Sequence, residues 1–127
     1  MTATPSANQL PYFAALLDHT EDGIMLCDAD WRVTLWNAGA RRMFGWRAEE
    51  VVGQSATLLG LAEIDGAGIE RGRQLAEYGR WRGEVTVERK DGTEAPVDTV
   101  VVVVRDPQAR ISGYLGILRD VSGRKRA

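Results

Sequence analysis

The chain has 127 residues, a length at which one domain buries roughly two-thirds of the surface its unfolded form exposes, so a single core is expected. Sixteen basic residues against eighteen acidic ones leave a formal charge of -2, which gives no overall electrostatic basis for binding nucleic acid or an anionic membrane. One cysteine, Cys27, excludes an internal disulfide and fits a reducing, cytoplasmic setting, and no run approaches the ~20 apolar residues of a membrane span.

In chain order, residues 1–9 are small and polar and read as a flexible leader, with no basic region before an apolar one and hence no signal peptide. Leu10, Phe13, Ala14 and Leu17 then repeat at i, i+3, i+4, i+7, the stripe of an amphipathic helix over 10–20. Something outside that helix must cover the stripe. Gly23 to Cys27 is a short apolar strand, Asp28-Ala29-Asp30 a tight turn, and Arg32 to Trp36 a second strand. The period then changes to helical. Asn37 is placed to cap the next helix by accepting from the backbone N–H of Gly39 or Ala40, Met43 and Phe44 follow at helical spacing, and Gly45 can end it. Such a cap is worth ~1 kcal/mol, and Asp or Ser at position 37 should nearly replace Asn.

Arg47 to Val52 reads as a short helix closed by Gly53, and Ser55 to Leu59 as a turn. Residues 67 to 78 are read as helical, though Gly68 and Gly72 weaken the pattern. From Trp81 the period is two, with Val85 and Val87 opposed to Glu84, Thr86 and Glu88, so one face of this strand is wet. Asp91-Gly92 is a hairpin signal, and the strand Glu94 to Arg105 carries the unbroken run Val100 to Val104, whose two faces should both be at least partly covered. After a turn at Asp106-Pro107, Ile111 to Val121 completes five antiparallel strands. Strands interrupted by one block of helices indicate an α+β domain, with a five-stranded antiparallel sheet carrying helices on one face.

The inventory for catalysis is thin. His19, the single histidine, lies at a polar helix end and reads as a surface residue, and no H-E-x-x-H, C-x-x-C, G-x-S-x-G or phosphate-loop pattern occurs. The acidic residues near Asp18 and Asp28 have the spacing of a helix end and a turn rather than of a cation loop, so no metal site and no catalytic residue is assigned.

The order G-I-x-x-x-D, a turn, a strand ending in W-N, a helix, F-G-W and V-x-G over Gly23 to Gly53 resembles the signature of the PAS family of sensor domains. The resemblance continues through Trp81-Arg82-Gly83-Glu84, Arg89-Lys90-Asp91-Gly92-Thr93 and Gly116 to Ser122, and covers about Leu17 to Ser122. It implies a sensory and dimerisation module over 21–122, with 123–127 the start of a connector to an output domain such as a histidine kinase or a cyclic-dinucleotide enzyme. It also implies no catalysis in this chain itself. Asp120 and Ser122 match the D-x-T/S motif that ends many such domains, and are the expected signal-output residues; Asp120 is expected to anchor the strand exit by a hydrogen bond or ion pair.

The resemblance places a cofactor or metabolite between sheet and helices. Aligned from Gly53, Ala56 stands where the flavin photosensor branch carries its adduct-forming Cys, and Leu118 where it carries a flavin-binding Gln, so photoactive FMN is disfavoured. The stretch from Gly66 to Tyr78 lacks the axial His of the haem branch. Non-covalent FAD remains an alternative, because Trp81 resembles a Trp of redox-sensing members. Strand alternation puts Met25, Cys27 and Leu118 toward the helices, and Trp36, Met43, Phe44, Leu59 and Leu75 can close the cavity. That mostly apolar lining suits a small apolar or amphipathic ligand. A core filled by these same side chains, in a pure interaction domain without ligand, is the competing reading. The same alternation turns Ile24, Leu26, Leu115 and Ile117 to the other face, where they need a cover; with Leu10, Phe13, Ala14 and Leu17 they form the expected interface of a homodimer.

Overall fold

A single carboxylate shapes the first turn of the sheet. Asp28 Oδ1 accepts from the backbone N–H of Asp30 and of Arg32, both at 2.9 Å, and between them Trp31 takes a left-handed conformation with φ 64°. The turn joins β1 (Gly23–Asp28) to β2 (Val33–Trp36), which pair antiparallel with Met25 opposite Trp36. The computed structural model describes residues 10–56 and 67–122, and the side chains of residues 10, 11, 13, 14 and 67–71 are not among those described.

Ahead of β1 lies α1 (Leu10–His19), and after β2 come α2 (Ala38–Phe44), α3 (Ala48–Val51) and α4 (Ala67–Tyr78). Three long strands follow: β3 (Arg80–Glu88), β4 (Glu94–Arg105) and β5 (Ile111–Asp120). The sheet order is β2-β1-β5-β4-β3 with every pairing antiparallel, so the chain's first strand and its last lie side by side at the centre. This is the five-stranded α+β architecture expected from the strand and helix periods, and the helix expected over 10–20 ends at His19.

Alternation along each strand sorts the two faces. Gly23, Met25 and Cys27 of β1, Val85 and Val87 of β3, Ala95, Val97 and Val101 of β4, and Gly116 and Leu118 of β5 are buried on the helix side. They join Val33, Trp36, Ala40, Phe44, Val51 and Ala56 in the core. Glu84, Thr86 and Glu88 are exposed, as their period requires. The run Val100 to Val104 departs from its expectation at its end: Val100 and Val102 are half-buried, but Val104 is 40 % exposed.

Two glycines are fixed by contact rather than by turn geometry. A Cβ at Gly39 would stand 2.2 Å from the Asp22 carbonyl oxygen, and one at Gly113 would stand 2.2 Å from the Cys27 carbonyl oxygen. The first lets α2 press onto the segment before β1; the second lets β5 close against β1.

Candidate functional site

The expected cavity lining falls into three groups. Met25, Cys27, Trp36, Phe44 and Leu118 are buried and belong to one apolar cluster, against which the half-buried Met43 packs. Leu75 on α4 is buried as well, outside that cluster. Leu59 lies outside the described residues, as do the leader 1–9 and the connector 123–127.

The cluster forms because β2, α2 and the loop after α2 deliver three aromatic rings, Trp36, Phe44 and Trp46, to one place. Trp36 ends β2 facing inward, and its ring meets Phe44, the last residue of α2, at 5.6 Å between centroids. Trp36 Nε1 donates to the Trp46 carbonyl at 2.9 Å, which holds the α2–α3 loop against the sheet end. The Trp46 N–H is itself buried and has no acceptor among the described residues, an arrangement that costs about 1–3 kcal/mol if left unmade. A second aromatic pair closes the hairpin end, where Trp31 stacks on Tyr114 of β5 with centroids 3.8 Å apart and planes at 9°. Neither Trp46 nor the Trp31–Tyr114 pair was legible as part of the site, because both depend on loop geometry rather than on period.

Cys27 is 5 % exposed. Burial, with a smaller contribution from the Asp28 charge, pushes its thiol up to about 11, so at neutral pH it is an inert apolar residue rather than a nucleophile or thiolate ligand. Ala56 and Leu118, both essentially fully buried, carry neither a thiol nor a side-chain amide. His19 is exposed at the end of α1, and no group of three or more metal-ligating side chains occurs among the described residues.

Asn37 does more than cap. Its Oδ1 accepts from Ala40 N at 2.9 Å, as a cap should, and also from Ile24 N at 2.8 Å, while Nδ2 donates to the carbonyls of Leu17 and Asp22. One buried amide thus ties α1, the approach to β1, β1 itself and α2. Both ends of the amide are used, so the expectation that Asp would replace Asn is wrong: a carboxylate cannot donate to two carbonyls.

At the far end of the domain, Asp120 sits in a built site. Its Oδ1 accepts from Ser122 N at 2.8 Å and from Ser122 Oγ at 2.6 Å, and its Oδ2 pairs with Arg89 Nη2 at 3.0 Å. Partial burial would raise this carboxyl, but the Ser122 hydrogen bonds and the Arg89 guanidinium outweigh it and hold it below the ordinary carboxylate value. Arg89, also missed by sequence reasoning, reaches Met43 O at 3.1 Å through Nε, and Thr93 Oγ1 at 3.1 Å and Glu94 O at 3.3 Å through Nη1. The β3–β4 turn is thereby docked on α2 and α3, with Lys90 N donating to Phe44 O at 2.9 Å and Lys90 Nζ to Glu50 at 2.6 Å.

On the opposite sheet face, Ile24, Leu26, Leu115 and Ile117 are half-buried. Leu17 is half-buried too, whereas the side chains of Leu10, Phe13 and Ala14 lie outside the described residues. Tyr12 and Leu16 of α1 are exposed at 73 % and 67 %. Farther along this face, the end of α4 and strands β3 and β4 bound an open groove of about 930 Å³, with Tyr78, Arg80, Arg82, Val100 and Val102 among its lining. No described helix is long and apolar enough to cross a membrane.

Comparison with known proteins places this geometry. The family model for the PAS fold matches residues 12–121. Among curated proteins, a nitrogen fixation regulatory protein of Klebsiella pneumoniae is 26% identical over 111 residues, covering 87% of this chain and 22% of its own length. A methanogenesis regulatory histidine kinase of Methanothrix harundinacea is 26% identical over 115 residues, covering 91% of this chain and 13% of its own length. The chain thus spans under a quarter of these relatives. Among solved structures, a PAS domain from Colwellia psychrerythraea matches with a TM-score of 0.83 at 26% identity over 91% of this chain and 98% of its own. An RNA-binding light-oxygen-voltage receptor matches with a TM-score of 0.79 at 21% identity over 98% of this chain and 38% of its own, a likeness of fold alone.

Proposed function

This chain belongs to the PAS fold family, and from that membership we propose that it is the sensory input module of a signal-transduction protein. In this reading it takes a small apolar or amphipathic ligand between sheet and helices, and passes its state to an output domain through the end of β5. The observation that carries the reading is the exit of β5. There Asp120 holds Ser122 through two hydrogen bonds and is itself held by Arg89, so the strand leaves the sheet at a fixed, charge-assisted joint rather than at a frayed end.

The relatives' names, a regulatory protein and a histidine kinase, support an output domain such as a kinase, and any catalysis lies there. The buried Trp46 N–H, without an acceptor among the described residues, supports a ligand with an apolar body and one hydrogen-bond acceptor. A symmetric homodimer through Ile24, Leu26, Leu115, Ile117 and α1 completes the proposal, supported by the apolar character of a sheet face that water would otherwise meet.

One observation favours a second reading, a ligand-free interaction domain. The Trp36 and Phe44 rings pack on each other where a ligand would sit, so side chains fill part of that space themselves. Absorbance of the purified protein, with mass spectrometry of what it releases on denaturation, separates these outcomes. A colourless protein releasing a small apolar compound supports the sensor, an empty extract supports the interaction domain, and flavin bands would replace both with non-covalent FAD. Asp120→Ala in a longer protein carrying this domain should change basal output without unfolding it; unchanged output removes the joint from signalling.

A further inference from the structure

The guanidinium of Arg89 hydrogen-bonds at once to the end of α2 and to the exit of β5. Its Nε donates to Met43 O, one of the last four carbonyls of α2, which have no partner within the helix. Its Nη2 pairs with Asp120 at the end of β5. Its Nη1 is held by Thr93 Oγ1 and Glu94 O, on the turn and strand that carry it. The neighbouring residue repeats the grip on α2, because Lys90 N donates to the Phe44 carbonyl. Phe44 is 1 % exposed and packs on Trp36, so the helix end that Arg89 grips is also a wall of the apolar core.

We propose that Arg89 is a positioning residue that couples the C-terminal end of α2 to the exit joint of β5, so that a displacement of the core wall is delivered to Ser122 through one rigid fork. This rests on the reading of Asp120 and Ser122 as the output joint. Guanidinium nitrogens lie in one plane at fixed separations, so Nε cannot follow a shift of the Met43 carbonyl while Nη2 keeps its geometry on Asp120. Asp120 in turn holds the Ser122 backbone and hydroxyl through its other oxygen. The element with two arrangements is therefore the fork, engaged at both ends or released from one. Lysine at this position would keep the charge for Asp120 but, with one nitrogen in place of three, would lose the second grip.

The test is amide hydrogen exchange by NMR on the 127-residue chain, comparing it with Asp120→Ala, Arg89→Lys and the double variant. The amides of Ser122, Lys90 and Gly45 report the exit, the turn and the end of α2, and Gly116 and Leu118 in the central strand report global opening. Asp120→Ala should raise exchange roughly tenfold at all three reporters, the scale of one lost charge-assisted hydrogen bond, while Gly116 and Leu118 stay protected. In the Arg89→Lys background the same substitution should affect Ser122 alone. Faster exchange at Ser122 with Lys90 and Gly45 unchanged in the parent background overturns the coupling and leaves the output joint standing. No change at Ser122 overturns the joint itself. A rise shared equally by Gly116 and Leu118 also counts against the coupling. Asp120→Asn, which keeps the side-chain shape, gives the same comparison should Asp120→Ala fail to fold.

Discussion

Replacing Asn37 by Asp separates helix capping from the cross-linking role of this residue. Asn37 is 4 % exposed, and its amide makes four hydrogen bonds, two as acceptor and two as donor. Asn37→Ala removes all four and leaves the Ile24 and Ala40 N–H groups without partners. At about 1–3 kcal/mol for each buried group left unpaired, the expected loss is roughly 3–5 kcal/mol, well above the ~1 kcal/mol of a cap alone. Asn37→Asp keeps both accepted bonds but aims a carboxylate oxygen at the carbonyls of Leu17 and Asp22. That variant should lose about as much as Asn37→Ala at pH 7. It should recover part of the loss in acid, because the apposed carbonyls raise the folded-state pKa of the new carboxyl and favour its protonated form. Asn37→Ser, which keeps an acceptor and one rotatable donor, should fall between wild type and Ala. Urea denaturation followed by tryptophan fluorescence at pH 7 and pH 5 gives all the values. If Asn37→Asp is as stable as wild type at pH 7, the donated bonds carry nothing and the residue is only a cap.

Gly39→Ala should destabilise by about 3 kcal/mol or more, since its Cβ would stand 2.2 Å from a backbone oxygen; a melting temperature within a few degrees of wild type would refute the close packing of α2 on Asp22. Cys27 should resist thiol reagents at pH 8 until the chain unfolds. Its folded pKa of about 11 lies above the unfolded 9.0, so its stability contribution is whole below pH 9 and is lost as pH rises through 11, by roughly 2–3 kcal/mol; a reagent rate equal to that of the unfolded chain would contradict this. Trp46→Phe removes the unpaired N–H, and should leave the ligand-free protein as stable while weakening ligand retention; a large loss of stability without ligand would show that the N–H has a partner. Leu115→Glu with Ile117→Glu should convert a dimer to a monomer by light scattering; a mass unmoved by both charges would refute the sheet-face interface.

Period carried most of the fold into view. Alternation in β1, β3 and β5 told the buried face from the open one, and it placed Met25, Cys27 and Leu118 on the helix side, where they lie. The change from alternation to helical spacing at Asn37 marked the start of α2. What stayed hidden depends on where loops bring side chains together, which period cannot express. Arg89 reads as one charge of a surface turn, yet that turn folds back on α2 and puts its guanidinium between Met43 and Asp120. Asn37 reads as a cap because its N–H partner is three residues away, whereas Leu17, Asp22 and Ile24 reach it only once α1 and β1 are packed. Trp31 stacks on Tyr114 through a left-handed turn residue that no propensity favours.

Native mass spectrometry of the purified protein tests the proposed sensory role most directly, because one spectrum reads both assembly and cargo. The chain has a mass of 14.0 kDa. The sensor reading predicts a species of twice that mass carrying an additional small molecule, lost on gentle activation and recovered as a colourless apolar compound. A single bare chain, unchanged across micromolar concentrations and yielding nothing on denaturation, would contradict it.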